Sequence, residues 1–172
     1  MQPSISGAPF TEAECLLYID TPLGPLEIKG NGQFISGVNF REQAGVSSED
    51  VPPLLRECAR QLREYFAGER LDFDLPLSQK GTDFQLGVWQ KLCDIPYANT
   101  ISYQQLANRI NNPKSIRAVG TTNGRNQISI IVPCHRVIGS NGTLTGYAGG
   151  LWRKKWLLEH ENKVKHGSQT LF

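Results

Sequence analysis

The spacing of apolar positions changes several times along the chain, and each change predicts an element. Cys15 to Asp20 reads as a strand. Leu26-Glu27-Ile28-Lys29 alternates, Asn31-Gly32 suits a hairpin turn, and Phe34 to Phe40 resumes the alternation. After a polar loop over 41–51, Pro52-Pro53 opens a helix. Leu55, Cys58, Leu62 and Phe66 line one face of it, and Gly68 is placed to stop it. Leu71-Asp72-Phe73-Asp74-Leu75 alternates again and ends at Pro76, predicting a last strand with both aspartates on the solvent face. Residues 1–76 therefore predict a small α/β domain of antiparallel strands around one main helix, and 77–81 predict a linker.

From residue 82 onward the spacing turns helical. Thr82 to Gln85 and Ser102 to Gln105 both have capping-box order. Phe84, Val88 and Leu92 recur at helical intervals, as do Tyr103, Leu106, Ala107 and Ile110. Gly87 weakens the first of these helices by about 1 kcal/mol relative to alanine, which packing or a close approach would justify. Ile95-Pro96 ends it. Asn111-Asn112-Pro113 predicts a turn and then a helix from Lys114 to about Asn123, giving two short helices in helix-turn-helix order. Ile116, Val119 and Asn123 share one face of the second; Ala118, Thr121 and Thr122 form a face of small residues, with Arg117 beside them. Small side chains let a backbone come close to a nucleic-acid groove, whereas a major-groove reader presents Arg, Asn or Gln to base edges. The face fits minor-groove docking with little sequence readout, and equally an ordinary helical hairpin.

Candidate chemistry lies at the end of an uncharged run, Ile128 to Val132. Such a run fits a buried strand or core segment, and Pro133 forces a turn. The turn delivers Cys134, His135 and Arg136 together. A thiolate is the reactive form of cysteine, and a neighbouring His or Arg lowers its pKa. The residues alone also fit a packed core cysteine. A glycine-rich turn over 138–143 leads to Leu144 through Gly150, where Tyr147 offers a face for base stacking worth about 1–3 kcal/mol. Trp152 and Trp156 read as core, Arg153-Lys154-Lys155 as a solvated face that touches phosphate, and His160 as surface.

Composition sharpens this. Residues 1–81 hold 7 basic against 12 acidic side chains, and residues 82–172 hold 11 against 4, within a net charge of +2. A basic C-terminal half is the footprint expected of a phosphate-binding surface. Cys15, Cys58, Cys93 and Cys134 are widely spaced, with no CxxC and no Cys/His cluster, so no metal site or cofactor is expected and the thiols suit a reducing cytoplasm. Residues 1–10 lack the pattern of a secretory leader, and no apolar run approaches the ~20 residues of a membrane span.

Pro133-Cys134-His135-Arg136-Val137, preceded by Asn126 and followed by Gly146-Tyr147-Ala148-Gly149-Gly150, resembles the active-site signature of the O6-alkylguanine-DNA alkyltransferases. The resemblance covers residues 82–161 and, more loosely, the N-terminal part at Thr21-Pro22-Leu23-Gly24. It implies an α+β protein: a ribonuclease-H-like N-terminal domain without catalytic use, and a mainly helical, winged helix-turn-helix-like domain over 82–172. It implies a monomer that binds double-stranded DNA and irreversibly takes the alkyl group of O6-alkylguanine, with O4-alkylthymine a further candidate, onto Cys134.

By the same resemblance His135 deprotonates Cys134 through a water and Glu161 orients His135. Tyr103 assists extrusion and neutralises the leaving base, and Asn126 braces the turn. Arg117 fills the stack left by the flipped nucleotide, with Ala118, Thr121, Thr122 and Arg136 at the DNA. Backbone groups of Val137 and Ala148, with Tyr147, hold the guanine. Where relatives have a glycine after the first helix this chain has Ala98-Asn99, and Asn99 can take the left-handed conformation. A lesion- or DNA-binding regulator without transferase activity is the alternative, and a cysteine hydrolase using Cys134, His135 and Glu161 a more distant one.

Overall fold

The structure, a computed structural model, describes residues 4–7 and 12–167; parts of the N-terminal stretch read for a leader lie outside them. The chain separates into two compact units. One comprises the described residues up to Thr82 together with Gln127–Ile131, and the other comprises Asp83–Asn126 with the described residues from Val132 onward. The fold is α+β, with a sheet in the first unit and mainly helices in the second.

In the first unit, β1 (Ile5–Ser6), β2 (Cys15–Ile19), β3 (Leu26–Gly30), β4 (Ile35–Phe40) and β5 (Leu77–Ser78) form one sheet in the order β1-β5-β4-β3-β2. The antiparallel β2–β3–β4 meander follows the alternation. The parallel pairs β1–β5 and β4–β5 do not, so the sheet is mixed where an antiparallel one was expected. Helix α1 (Pro53–Phe66) begins at its proline and buries Leu55, Cys58, Ala59, Leu62 and Tyr65. Gly68, at φ 77°, lies just beyond it in the left-handed region.

Two boundaries differ from the sequence reading. Leu71–Leu75 is not a strand: Phe73 and Leu75 are buried, but the side chain of Gln61 supplies the partners a strand would have. Its Nε2 donates to the Asp74 carbonyl at 3.2 Å, and its Oε1 accepts from the Asp74 amide at 3.0 Å. Residues 77–81, expected as a linker, instead carry β5, with Leu77, Ser78 and Gln79 buried. Edge strand β2 is covered by the polar loop: Ser48 Oγ accepts from the Leu16 amide at 3.0 Å and Ser47 Oγ from the Tyr18 amide at 3.1 Å. These hydroxyls occupy backbone donors that would otherwise recruit another strand.

The second unit contains α2 (Asp83–Leu92), α3 (Tyr103–Arg109), α4 (Ile116–Gly124) and α5 (Leu151–His166), with a parallel pair formed by β6 (Ile101–Ser102) and β7 (Val137–Ile138). The capping box at Ser102 is complete: its Oγ accepts from the Gln105 amide, and Gln105 Oε1 accepts from the Ser102 amide. Asn111, at φ 58°, turns the chain from α3 toward α4. In the earlier turn the left-handed residue is Ala98, at φ 61°, and not Asn99. Val88, Trp89, Leu92, Leu106, Ala107, Val119, Leu157 and Leu158 are buried. Among the described residues no helix is long and apolar enough to cross a membrane.

Candidate active site

The run before the cysteine is not a strand. Ile128 makes a single bridge to Val38, and the chain then turns. The Ile131 amide donates to the Ser129 carbonyl at 2.8 Å around Ile130 at φ 72°, a γ-turn conformation that β-branched residues rarely adopt. The Cys134 amide donates to the Val132 carbonyl at 2.8 Å around Pro133 at φ −82°, ψ 62°, an inverse γ-turn. Cys134, His135 and Arg136 then form one turn of 3-10 helix leading into β7. Short apolar residues fill the turns with little exposed surface, which is why the pattern looked like a buried strand.

Cys134 is only 5% exposed. Asn126 Nδ2 reaches its Sγ at 3.2 Å and also donates to the Val132 carbonyl at 2.9 Å. Asn123, on the last turn of α4, donates to the Cys134 carbonyl at 3.3 Å. Burial holds the Cys134 thiol above its ordinary pKa; the Asn126 hydrogen bond and the nearby Lys154 charge pull the other way. This differs from the expectation that His135 and Arg136 would lower it. At rest the sulfur is a thiol, and a base must act on it.

His135 is fully buried, and burial lowers its pKa, so the ring is neutral; the neighbouring Glu161 carboxylate opposes that shift. Its Nε2 lies 2.9 Å from Glu161 Oε1. A carboxylate accepts and does not donate, so the pair places the proton on Nε2 and leaves Nδ1 as the acceptor. Nδ1 has no hydrogen-bond partner among the described residues.

Glu161 is fully buried and held well below the ordinary carboxylate range, because His135 and Arg136 outweigh the penalty of burial. Arg136 Nη2 donates to Glu161 Oε1 at 2.7 Å, its Nε to Oε2 at 3.1 Å, and its Nη1 to the Ile95 carbonyl at 2.7 Å. Arg136 is buried and turned toward Glu161. The expected contact with DNA does not fit that placement, since the buried carboxylate requires a cation.

A positive charge that acts on the thiol comes from a residue the sequence reading placed in solvent. Lys154 is fully buried. Its Nζ donates to the carbonyls of Val137 at 2.7 Å, Thr145 at 2.8 Å and Gly146 at 3.3 Å, and burial lowers its pKa to about 8. Arg153 is also buried and donates to the Gly149 carbonyl at 2.9 Å. A signal was present: Lys154, Leu157, Leu158 and Glu161 follow the i, i+3, i+4, i+7 rule of a buried helix face. Lys155 is exposed, Trp156 is half-buried and stacks on His160 at 4.8 Å, and Trp152, expected in the core, is 57% exposed.

Around this centre, Tyr103 Oη donates to the Thr145 carbonyl at 3.1 Å, and its ring lies beside Gly120 of α4. Val137 is buried, Tyr147 half-buried and Ala148 exposed. On α4, Arg117, Ala118 and Thr121 are exposed. Thr122 is not: it is buried, and its carbonyl accepts from Trp89 Nε1 at 3.0 Å, which removes it from the expected groove-facing set. Among the described residues no group of three His, Cys, Asp or Glu is placed to hold a metal.

Comparison with known proteins identifies the chain's relatives. Residues 83–163 match the model of the 6-O-methylguanine DNA methyltransferase DNA binding domain, and residues 16–79 that of its ribonuclease-like domain. The methylated-DNA–protein-cysteine methyltransferase of Mycobacterium bovis is 46% identical over 158 residues, covering 90% of this chain and 96% of its own. That of Methanosarcina acetivorans is 48% identical over 149 residues, covering 83% and 94%. The crystal structure of Mycobacterium tuberculosis O6-methylguanine methyltransferase superimposes with a TM-score of 0.80 at 45% identity, covering 88% of this chain and 94% of that one. The same organism's protein in complex with DNA matches with a TM-score of 0.79 at 46% identity, covering 87% and 93%. With both of its halves matched in order, and relatives this similar along nearly their whole length, the chain belongs to the methylated-DNA–protein-cysteine methyltransferase family.

Proposed function

We propose that this protein repairs DNA by moving the alkyl group of O6-alkylguanine onto Sγ of Cys134. The single observation that carries this reading is the ordered set Asn126–Cys134, His135–Glu161–Arg136. It supplies a buried thiol, a neutral imidazole whose acceptor nitrogen is unengaged among the described residues, and a carboxylate that steadies the imidazolium formed when a proton arrives.

In the step itself, the Sγ proton passes through a water to His135 Nδ1 while Glu161 holds the charge on the ring. Sulfur then bonds to the alkyl carbon as the carbon–O6 bond breaks and its electron pair stays on oxygen. The guanine anion takes a proton, with Tyr103, whose hydroxyl already donates to the Thr145 carbonyl of the substrate loop, as the donor. The product is a thioether, which has no labile ester, so each chain reacts once. Because the carbon attached to O6 is inaccessible inside a duplex, the nucleotide must be flipped at a cost of a few kcal/mol. Exposed Arg117, beside the small residues Ala118 and Thr121, is the side chain suited to fill the vacated stack from the minor groove.

Duplex and free-base substrates test this division of labour. Cys134→Ala abolishes alkyl uptake from both. Arg117→Ala slows uptake from a lesion-bearing duplex at least tenfold more than uptake from the free alkylguanine base; equal slowing on both would remove its flipping role. A regulator without transferase activity would bind the duplex and stay unmodified.

A further inference from the structure

The Thr145–Gly150 loop is tied to consecutive residues at the start of α5, one of which, Lys154, also carries the charge that acts on the Cys134 thiol. Lys154 takes the Thr145 and Gly146 carbonyls at one end, and Arg153 takes the Gly149 carbonyl at the other. The Arg153 end has an unusual construction. A buried arginine guanidinium lies 4.5 Å from the ring centroid of Trp152, which remains 57% exposed. The same indole covers Gly150: a Cβ there would meet Trp152 Cδ1 at 3.3 Å and Nε1 at 3.4 Å. Gly150 itself sits at φ 91°, a conformation that L side chains rarely adopt. Exposing a tryptophan while burying the adjacent arginine reverses the usual preference, so something other than core packing holds this pair.

We propose that Trp152 and Arg153 latch the Gly149–Gly150 turn and thereby set the size of the alkyl group the protein accepts. The proposal rests on the alkyl-transfer reading above. With the latch closed, Gly149 is fixed by the guanidinium, the indole lies over Gly150, and the loop carrying Tyr147 and Ala148 is pinned at both ends. A methyl group reacts within that space. A bulkier group needs the loop to swing outward, and the glycine pair is the point where the backbone can rotate. Releasing the latch therefore widens tolerance, and it costs the small substrate its fixed wall.

The test compares wild type, Trp152→Ala, Arg153→Gln and Trp152→Phe. Rates of alkyl uptake are measured with free O6-methylguanine and free O6-benzylguanine, and hydrogen exchange is measured over residues 144–150. Trp152→Ala and Arg153→Gln raise the benzyl-to-methyl rate ratio about tenfold, the scale of losing one cation–π contact and its packing, and speed exchange in the loop. Trp152→Phe keeps a ring over Gly150 and keeps the wild-type ratio. A loss of fold alone would slow both substrates together. An unchanged ratio in both variants overturns the size assignment, even where exchange quickens, and unchanged exchange overturns the latch. Wild type that takes no alkyl from either base defeats the transfer reading, while the exchange measurement still decides whether the latch exists.

Discussion

Replacing Lys154 with methionine separates stability from reactivity. The shift of its pKa from 10.5 to about 8 means the folded protein disfavours the charged form by roughly 3 kcal/mol relative to water. Methionine removes that penalty and fills a similar shape. Against this, three carbonyls lose a donor, of which that of Val137 is buried. Thr145 keeps the Tyr103 hydroxyl at 3.1 Å, so the Val137 carbonyl is the group left most dependent on Lys154, at about 1–3 kcal/mol. The two effects offset, and stability changes by no more than about 2 kcal/mol, or a few degrees in Tm.

Reactivity has no such compensation, because the charge beside the developing thiolate and the anchor of the substrate loop vanish together. The rate of alkyl uptake falls on the order of 10²-fold, as when one preorganised electrostatic group is deleted. Because the ammonium is protonated below about 8 and neutral above, wild type loses rate as pH rises through 8, and the variant shows no such limb. Stopped-flow or quenched alkyl transfer between pH 6 and 9, beside thermal melts, measures both. A variant that reacts within twofold of wild type and keeps the alkaline decline would refute the role given to Lys154.

Two further outcomes are expected. Glu161→Gln leaves Arg136 buried without its carboxylate, a loss of about 3–5 kcal/mol, seen as a Tm lower by about 10 °C at neutral pH. The depressed Glu161 pKa makes this contribution complete above 4.5 and lost as pH falls toward the folded value, so the gap between the two melts narrows on acidification; a gap independent of pH would contradict it. Gly87 is exposed and a Cβ there meets nothing within 4 Å, so Gly87→Ala stabilises α2 by about 1 kcal/mol. Should the alanine variant also lose reaction on duplex DNA and not on free base, the glycine serves the approach of DNA.

Much of this architecture is written locally. The antiparallel strand pairing, the Pro53 helix start and the Ser102 capping box each depend on neighbours within a few residues, and all are present; the turn after β3 is also there, but spans residues 31–34, with the Asn31 side chain accepting from the Gln33 and Phe34 amides. What escaped depends on partners distant in sequence. Leu71–Leu75 has a strand's pattern, but its hydrogen bonds go to Gln61. Leu77-Ser78 is too short to announce itself, and it becomes a strand only because β1 and β4 flank it. At the site, Cys134, His135 and Glu161 were legible through the motif that resembles the family. The motif could not say that Arg136 turns inward to Glu161, or that Lys154, nominally part of a charged surface run, is the buried cation near the thiol. Charge type predicts exposure on average, and both exceptions arise where a buried acceptor demands a donor.

Mole-for-mole accounting of the transferred group decides whether Cys134 is a permanent acceptor. The protein is incubated with a tenfold excess of duplex carrying O6-methylguanine, and intact-mass and peptide spectra are recorded with the lesion remaining. One added methyl per chain is expected, located on Cys134, with one lesion repaired per chain and no more. Repair beyond one lesion per chain, a methyl on any other residue, or lesions lost from DNA while the protein keeps its original mass would contradict it.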